Sequence, residues 1–137
     1  MRLISAMIAG TMLASCSTAP GPAPMRTAEK QREYEQLLLG KVPGQPMSCL
    51  SRFRATDMRP IDDGTILFRD GANRTYVNHP QGPCNGLASG HYTLVTRQVG
   101  SSDPCRGDIA QVVDLSNGML VGSCVWGDFI PYTRART

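Results

Sequence analysis

Five cysteines carry most of the position-dependent chemistry in this 137-residue chain. Cys16 directly follows Leu13-Ala14-Ser15, and these residues end an apolar run that begins at Leu3, behind the basic residue Arg2. This order is typical of a bacterial lipoprotein signal, in which the peptidase accepts small residues and the cysteine thiol accepts a diacylglycerol. We therefore expect residues 1–15 to be a signal peptide and Cys16 to be the lipidated residue.

The alternatives for this segment are a transmembrane anchor and an ordinary secretory signal. An apolar run of about eleven residues is well short of the roughly twenty that cross a bilayer as a helix. An ordinary cleavage site does not need a cysteine directly after its small residues. Attachment by more than one acyl chain would hold the protein stably on a membrane. We expect a lipid-anchored protein of the cell envelope that faces the periplasm, and Ser17 after the cysteine indicates sorting to the outer membrane.

The other four cysteines are Cys49, Cys84, Cys105 and Cys124. Export would place them in an oxidising compartment, where an even number of cysteines in a small domain predicts two disulfides. The alternative is a zinc site, but the spacing is irregular and contains no Cys-x-x-Cys pair. His79 and His91 also fall outside the usual ligand patterns. We expect neither a metal nor another cofactor.

Composition limits the possible partners and the size of the fold. Removal of Arg2 with the signal would leave a net charge lower by one than the formal +3 of the whole chain. This small excess does not predict binding to nucleic acid. The roughly 120 residues that remain suffice for one small domain with a modest core.

Behind the signal, the sequence divides into three segments. Residues 16–26 are rich in Pro, Ala and Gly, which predicts a flexible lipid tether. Residues 27–40 predict a helix over Ala28–Leu39, with Thr27 as its N-cap and an apolar stripe in its second half. Residues 41–137 predict a disulfide-bonded β-domain.

Short segments between turn residues predict the strands of this domain. Asp70-Gly71 and Asn117-Gly118 are strong hairpin signals. The fold class is therefore mainly β, a small antiparallel barrel or sandwich of about six strands. The predicted strands are Met47–Ala55, Thr65–Arg69, Arg74–Asn78, Tyr92–Arg97, Ile109–Leu115 and Met119–Trp126.

The predicted strand order also favours one disulfide pairing. Cys49 lies in the first predicted strand and Cys124 in the last. Closure of an antiparallel barrel would place these two strands side by side. We therefore expect a Cys49–Cys124 bridge, which leaves Cys84 to pair with Cys105.

No set of residues predicts catalysis. The histidines stand apart in sequence, and Asp62-Asp63, which could act as acid and base, precede a glycine as in an ordinary turn. We expect a protein that is not an enzyme. Two other groups are candidate binding surfaces, and each also suits an ordinary structural role. They are the basic row Arg52, Arg54 and Arg59, suited to an anionic ligand such as peptidoglycan or lipid headgroups, and the aromatic group Trp126, Phe129 and Tyr132.

Between Leu37 and Tyr132 the chain resembles a family of small cysteine-containing proteobacterial envelope proteins of unknown function. The resemblance implies an exported, disulfide-bonded β-domain and implies no activity or catalytic residues. The residues that carry it are Leu39-Gly40, Gly44-Gln45-Pro46, Cys49-Leu50, Ile61-Asp62-Asp63, Gly82-Pro83-Cys84-Asn85-Gly86-Leu87, Cys105-Arg106-Gly107-Asp108, Gly122-Ser123-Cys124 and Phe129-Ile130-Pro131-Tyr132.

A second resemblance supplies the alternative function. Ser89-Gly90-His91-Tyr92 is similar to a segment of small lipoproteins that inhibit c-type lysozymes. The main expectation is a non-catalytic envelope lipoprotein with a structural or interaction role, with an envelope protein or peptidoglycan as its partner. The alternative is a periplasmic binding protein that resembles a lysozyme inhibitor.

Overall fold

The computed structural model describes residues 26–97 and 102–136. The predicted signal peptide, Cys16 and all of the predicted tether except Arg26 lie outside these residues. The described part contains one α-helix, one short 3-10 helix and eight strands. They are α1 (Ala28–Leu38), β1 (Lys41–Pro43), β2 (Met58–Asp62), β3 (Thr65–Asp70), β4 (Arg74–Asn78), the 3-10 helix Leu87–Ser89, β5 (Tyr92–Arg97), β6 (Ile109–Asp114), β7 (Leu120–Val125) and β8 (Phe129–Arg134).

The helix confirms the sequence prediction to within one residue. The hydroxyl of Thr27 accepts a hydrogen bond from the backbone N–H of Lys30 at 3.2 Å, so one free N–H group of the first turn is satisfied. The second half of the helix packs on one face of a sheet, as its apolar stripe predicts. The contacting side chains are Tyr34, Leu37 and Leu38 on the helix, and Ile61, Leu67 and Val77 on the sheet.

Five strands form an antiparallel sheet in the order β1-β8-β4-β3-β2. Side chains alternate between its two faces, so Leu67 and Val77 face the helix while Phe68 and Tyr76 face the main core. The sheet is therefore covered on both faces, which explains why β3 is buried over four consecutive residues.

The remaining strands form a second antiparallel sheet in the order β5-β6-β7. The main core lies between the two sheets, where Phe68, Trp126 and Phe129 pack with ring centroids 5.7 to 5.9 Å apart. Ala110 and Val112 close this core from the smaller sheet. The described residues form a sandwich-like fold with no closed barrel, so of the two predicted architectures only the sandwich fits.

The predicted strand Met47–Ala55 is wrong. Only Met47 and Cys49 form isolated bridges, and the chain then turns, with the N–H of Arg54 bonded to the Ser51 carbonyl at 2.8 Å. Burial along this segment does not follow the alternation of a strand. Leu50 is fully buried whereas Phe53 is 77% exposed, because the backbone leaves the sheet before it reaches Phe53.

The predicted disulfide pairing is also wrong. The bridges are Cys49–Cys105 and Cys84–Cys124. The predicted pairing assumed a closed barrel with the segment around Cys49 beside the last strand. Instead, Gln81 bridges to Val125, which brings the following Cys84 to the end of β7, and Cys49 is left opposite the loop that contains Cys105.

Candidate functional site

The residues that could act in catalysis have structural partners. Asp62 pairs with Arg26 at 2.9 Å, and Asp63 accepts a hydrogen bond from the backbone N–H of Gly86 at 3.2 Å. The ring of His79 lies 3.2 Å from the carbonyl oxygen of Gly64, while exposed His91 borders a different loop near Asp114. Among residues 26–97 and 102–136, no three His, Cys, Asp or Glu side chains are grouped to hold a metal ion.

Neither of the two candidate binding groups forms a common surface. Arg52 stacks on Phe53, whereas Arg54 donates to the phenol oxygen of Tyr76 and Arg59 donates to Asp57. These arginines therefore do not form a row on one strand. In the aromatic group, Trp126 and Phe129 are buried in the main core, and Tyr132 packs on the opposite face of the sheet. The prediction of an aromatic binding surface is therefore wrong.

A different group of basic residues meets at one end of the five-stranded sheet. Here β1 begins, β8 ends, and the β3–β4 hairpin turns, so Lys41 lies opposite Arg134 and Asp70 lies opposite Arg74. Two further arginines come from a loop and from the C-terminal segment. We call this region the basic surface, and its charged residues are Lys41, Arg54, Asp70, Arg74, Arg134 and Arg136.

Two of its arginines share a carboxylate and a buried phenol. Arg54 and Arg74 each lie 3.8 Å from the carboxylate of Asp70. The hydroxyl oxygen of buried Tyr76 accepts hydrogen bonds from Arg54 at 2.9 Å and from Arg74 at 3.5 Å. Because a guanidinium has five N–H donors, both side chains keep donors free for an external anion.

Lys41 lies opposite Arg134 and lines a hollow that the ion pair of Asp57 and Arg69 also borders. The ammonium of Lys41 donates to the carbonyl oxygen of Leu37 at 2.6 Å. Burial lowers the pKa of Lys41, and the nearby positive charge of Arg134 lowers that pKa further. Within the described part of the chain, no carboxylate lies within ion-pair distance of Arg134 or Arg136.

The shape of the basic surface is shallow and open to solvent. Arg74, Arg134 and Arg136 line a hollow of about 430 Å³ together with Asp70, Asn73 and Thr133. The basic surface carries five positive charges and one negative charge, while the whole chain has a formal net charge of +3. The rest of the chain is therefore slightly negative, and the positive field is concentrated at this end of the sheet.

The sequence alone gives little indication of this surface. Lys41 and Arg136 lie almost a hundred residues apart, and only the pairing of β1 with β8 brings their segments together. The Arg-x-Arg motif at Arg134 and Arg136 is a weak signal, since short basic motifs are common near chain ends. Arg54 belongs to the predicted basic row, but its neighbours in the structure are Asp70, Arg74 and Tyr76.

The fold and the basic surface define a small, disulfide-bonded β-sandwich with one strongly cationic end. The chain belongs to the Family of unknown function (DUF6491), whose family model matches residues 1–124. Comparison with curated proteins and with solved structures found no match. The family matches the expectation of a family of unknown function, and its description assigns no activity.

Proposed function

We propose that this chain is an exported, lipid-anchored envelope protein that binds an anionic polymer of the envelope, peptidoglycan, and catalyses no reaction. The basic surface is the observation that carries the binding part of the proposal. The order Leu13-Ala14-Ser15-Cys16 supports lipidation and attachment to a membrane, facing the periplasm. Ser17 supports the outer membrane as the destination.

Peptidoglycan suits the chemistry and the shape of the basic surface. Its stem peptides carry carboxylates, and the planar guanidinium of arginine binds a carboxylate with two parallel hydrogen bonds. Four of the five cations are arginines: Arg54, Arg74, Arg134 and Arg136. An open, shallow surface can accept a repeating polymer, whereas an enclosed pocket would favour a small ligand.

The placement of polar side chains supports a binding role without catalysis. A nucleophilic mechanism needs a nucleophile, a base and an orienting acid within hydrogen-bonding distance. His79 contacts a backbone carbonyl, and the four described cysteines form disulfides. Within residues 26–97 and 102–136, these side chains therefore favour charge complementarity for a partner over activation of a nucleophile.

Co-sedimentation with purified, insoluble peptidoglycan tests this proposal. The protein is the chain from residue 17, exported with a cleavable signal so that both disulfides form. The variant with both Arg74→Gln and Arg134→Gln should bind roughly tenfold more weakly, because each lost contact contributes about 0.5–1 kcal/mol. The matched control neutralises Arg32 and Arg97, which lie outside the basic surface, and should bind like the unaltered protein.

The salt dependence of binding and an assay of lysozyme inhibition provide two further tests. Binding should weaken as ionic strength rises, since exposed charges are screened over about 8 Å at physiological salt. No binding of the unaltered protein, or an equal loss in the control variant, would contradict the proposal. Stoichiometric inhibition of a c-type lysozyme would instead favour the alternative function, with the exposed loop at Gly90 and His91 as the segment to mutate first.

A further inference from the structure

The hairpin between β6 and β7 exposes four large aliphatic side chains at one end of the smaller sheet. Leu115, Met119, Leu120 and Val121 are 63%, 64%, 57% and 50% exposed. We call these four residues the apolar tip. Isolated exposed apolar residues are common on soluble domains, whereas four such residues within seven positions of one hairpin indicate an interaction site.

Three backbone N–H groups in the turn of this hairpin are already hydrogen-bonded within the protein. The N–H groups of Leu115, Gly118 and Met119 bond to His91, Asp114 and Asn117 at 2.8 to 3.0 Å. The Asp114 carboxylate accepts from the N–H of Ser116 at 2.7 Å, which closes the turn. A hairpin with satisfied N–H groups can leave water at a much lower cost than an open loop, because few polar groups lose a partner.

The apolar tip lies near the point where the chain enters the described structure. Leu115 and Lys30, in the first turn of α1, line the same hollow of about 220 Å³. Arg26 lies four residues before Lys30 in the sequence. Residues 16–25 are the only link from Cys16 to Arg26, and ten residues span at most about 36 Å. A lipid at Cys16 would therefore keep the apolar tip within reach of the bilayer.

We infer that the apolar tip inserts into the bilayer that carries the lipid anchor, as a second and weaker membrane contact. The inference rests on the proposed function for the anchor at Cys16. The aliphatic side chains suit the boundary between headgroups and acyl chains, where interfacial segments sit about 5–10 Å deep. A second copy of the chain is a poorer occupant, because four side chains provide much less than the roughly 800 Å² per partner of a stable interface.

This insertion would leave the basic surface away from the anchored end. Arg26 contacts Thr65 at the start of β3, with 3.3 Å between Nη2 and the hydroxyl oxygen, and Asp70 of the basic surface ends the same strand. Five residue steps along a strand cover about 17 Å. The two ends of β3 would then serve different partners, the bilayer at one end and an anionic polymer at the other.

Quenching of tryptophan by brominated lipid tests the insertion. A histidine tag in place of Cys16 would tether the chain from residue 17 to vesicles of brominated phosphatidylcholine and a nickel-chelating lipid. Met119→Trp places an indole in the apolar tip, and Phe53→Trp places one at an exposed site beside Arg54 of the basic surface. Native Trp126 is buried and supplies the same background in both variants.

We expect the Met119→Trp protein to lose about half of its added emission and the Phe53→Trp protein to lose almost none, given an insertion depth of about 5–10 Å. Adding Leu120→Ser and Val121→Ser to Met119→Trp should remove most of this quenching. Equal quenching in the two tryptophan variants, or quenching that survives the serines, would overturn the inference. So would a stable dimer in sedimentation that buries the apolar tip without lipid.

The tag makes this test independent of lipidation. Failure of palmitate labelling at Cys16 would count against the proposed anchor and would leave the quenching result intact. Failure of quenching in the tethered protein would count against the apolar tip alone. The two outcomes are therefore distinguishable.

Discussion

Asn78 and Gly127 exchange two hydrogen bonds in the interior of the domain. The side-chain amide of Asn78 donates to the Gly127 carbonyl at 2.8 Å and accepts from the Gly127 N–H at 3.2 Å. Asn78 ends β4, and Gly127 lies in the link between β7 and β8, so this pair connects the two sheets. The backbone also approaches closely here, because a Cβ atom at Gly127 would contact the backbone carbonyl oxygen of His79.

Gly127→Ala should destabilise the domain by about 3 kcal/mol or more, because a backbone carbonyl must move to admit the methyl group. Gly122→Ala is the matched control, since its new Cβ would meet nothing nearer than Val112 at 4.0 Å. The control should change stability by less than about 1 kcal/mol. The measurement is urea denaturation of both variants. Similar midpoints for the two variants would show that the close approach at Gly127 is not a constraint.

The two disulfides should differ in their contribution to stability. Peptide mapping under non-reducing conditions should recover Cys49–Cys105 and Cys84–Cys124. The sequence separations of 56 and 40 residues differ by only about 0.3 kcal/mol in loop entropy. Cys84 and Cys124 are buried in the main core, whereas Cys49 is exposed.

Replacement of Cys84 and Cys124 by alanine should therefore cost more than replacement of Cys49 and Cys105, by about 1–2 kcal/mol, since it also leaves a cavity. Urea denaturation of the two double variants gives the comparison. A larger loss of stability in the Cys49 and Cys105 variant would show that the exposed bridge contributes more to stability than the buried one.

Sequence patterns predicted the hairpins and the helix because their signals are local. Gly71 and Gly118 adopt positive φ values of 67° and 72°, which glycine allows at little cost, so both turns are encoded by two adjacent residues. The three strands that the patterns missed, β1, β2 and β8, each contain a proline: Pro43, Pro60 and Pro131. Proline weakens a strand signal because it cannot donate to the sheet.

The surrounding structure supports β8 despite its proline. The carbonyl oxygen of Pro131 accepts from the N–H of Gly44 at 2.7 Å, and β8 pairs with both β1 and β4. These partners lie about 50 to 90 residues earlier in the chain, so no local pattern reports them. The basic surface depends on this same long-range pairing, which is why the sequence suggested a row of arginines on a strand that does not form.

Asp57 should make stability depend on pH in the acid range. Its carboxylate accepts a hydrogen bond from Arg59 and another from Arg69, each at 2.7 Å, and these bonds hold the pKa of Asp57 below its ordinary value. A carboxyl group with a lowered folded-state pKa stabilises the fold above its unfolded pKa of about 3.9. This contribution is lost as the pH falls through the folded-state pKa.

Asp57→Asn should therefore cost up to about 1 kcal/mol at pH 7, since the ion pairs are partly exposed, and almost nothing at pH 2. Urea denaturation at the two pH values measures both differences. Asp128→Asn is the control for the loss of one exposed carboxylate. Asp128 has a single arginine partner, Arg106 at 3.1 Å, and that partner is exposed. An equal loss of stability at pH 2 and pH 7 would show that Asp57 stabilises the fold through its shape and not through its charge.

Lipidation at Cys16 is tested in cells that export the full chain. Cys16→Ala should abolish palmitate labelling, because the thiol is the acceptor of the first acyl group, and should leave the protein soluble or held by its uncleaved signal. Cys49→Ala is the matched control, since it also removes one cysteine but should retain the label. Label that persists in the Cys16→Ala protein would reject the anchor. Label lost from both proteins would instead indicate that the disulfide at Cys49 is needed for a stable exported chain, and labelling of the Cys49→Ala, Cys105→Ala double variant would separate that effect from acylation.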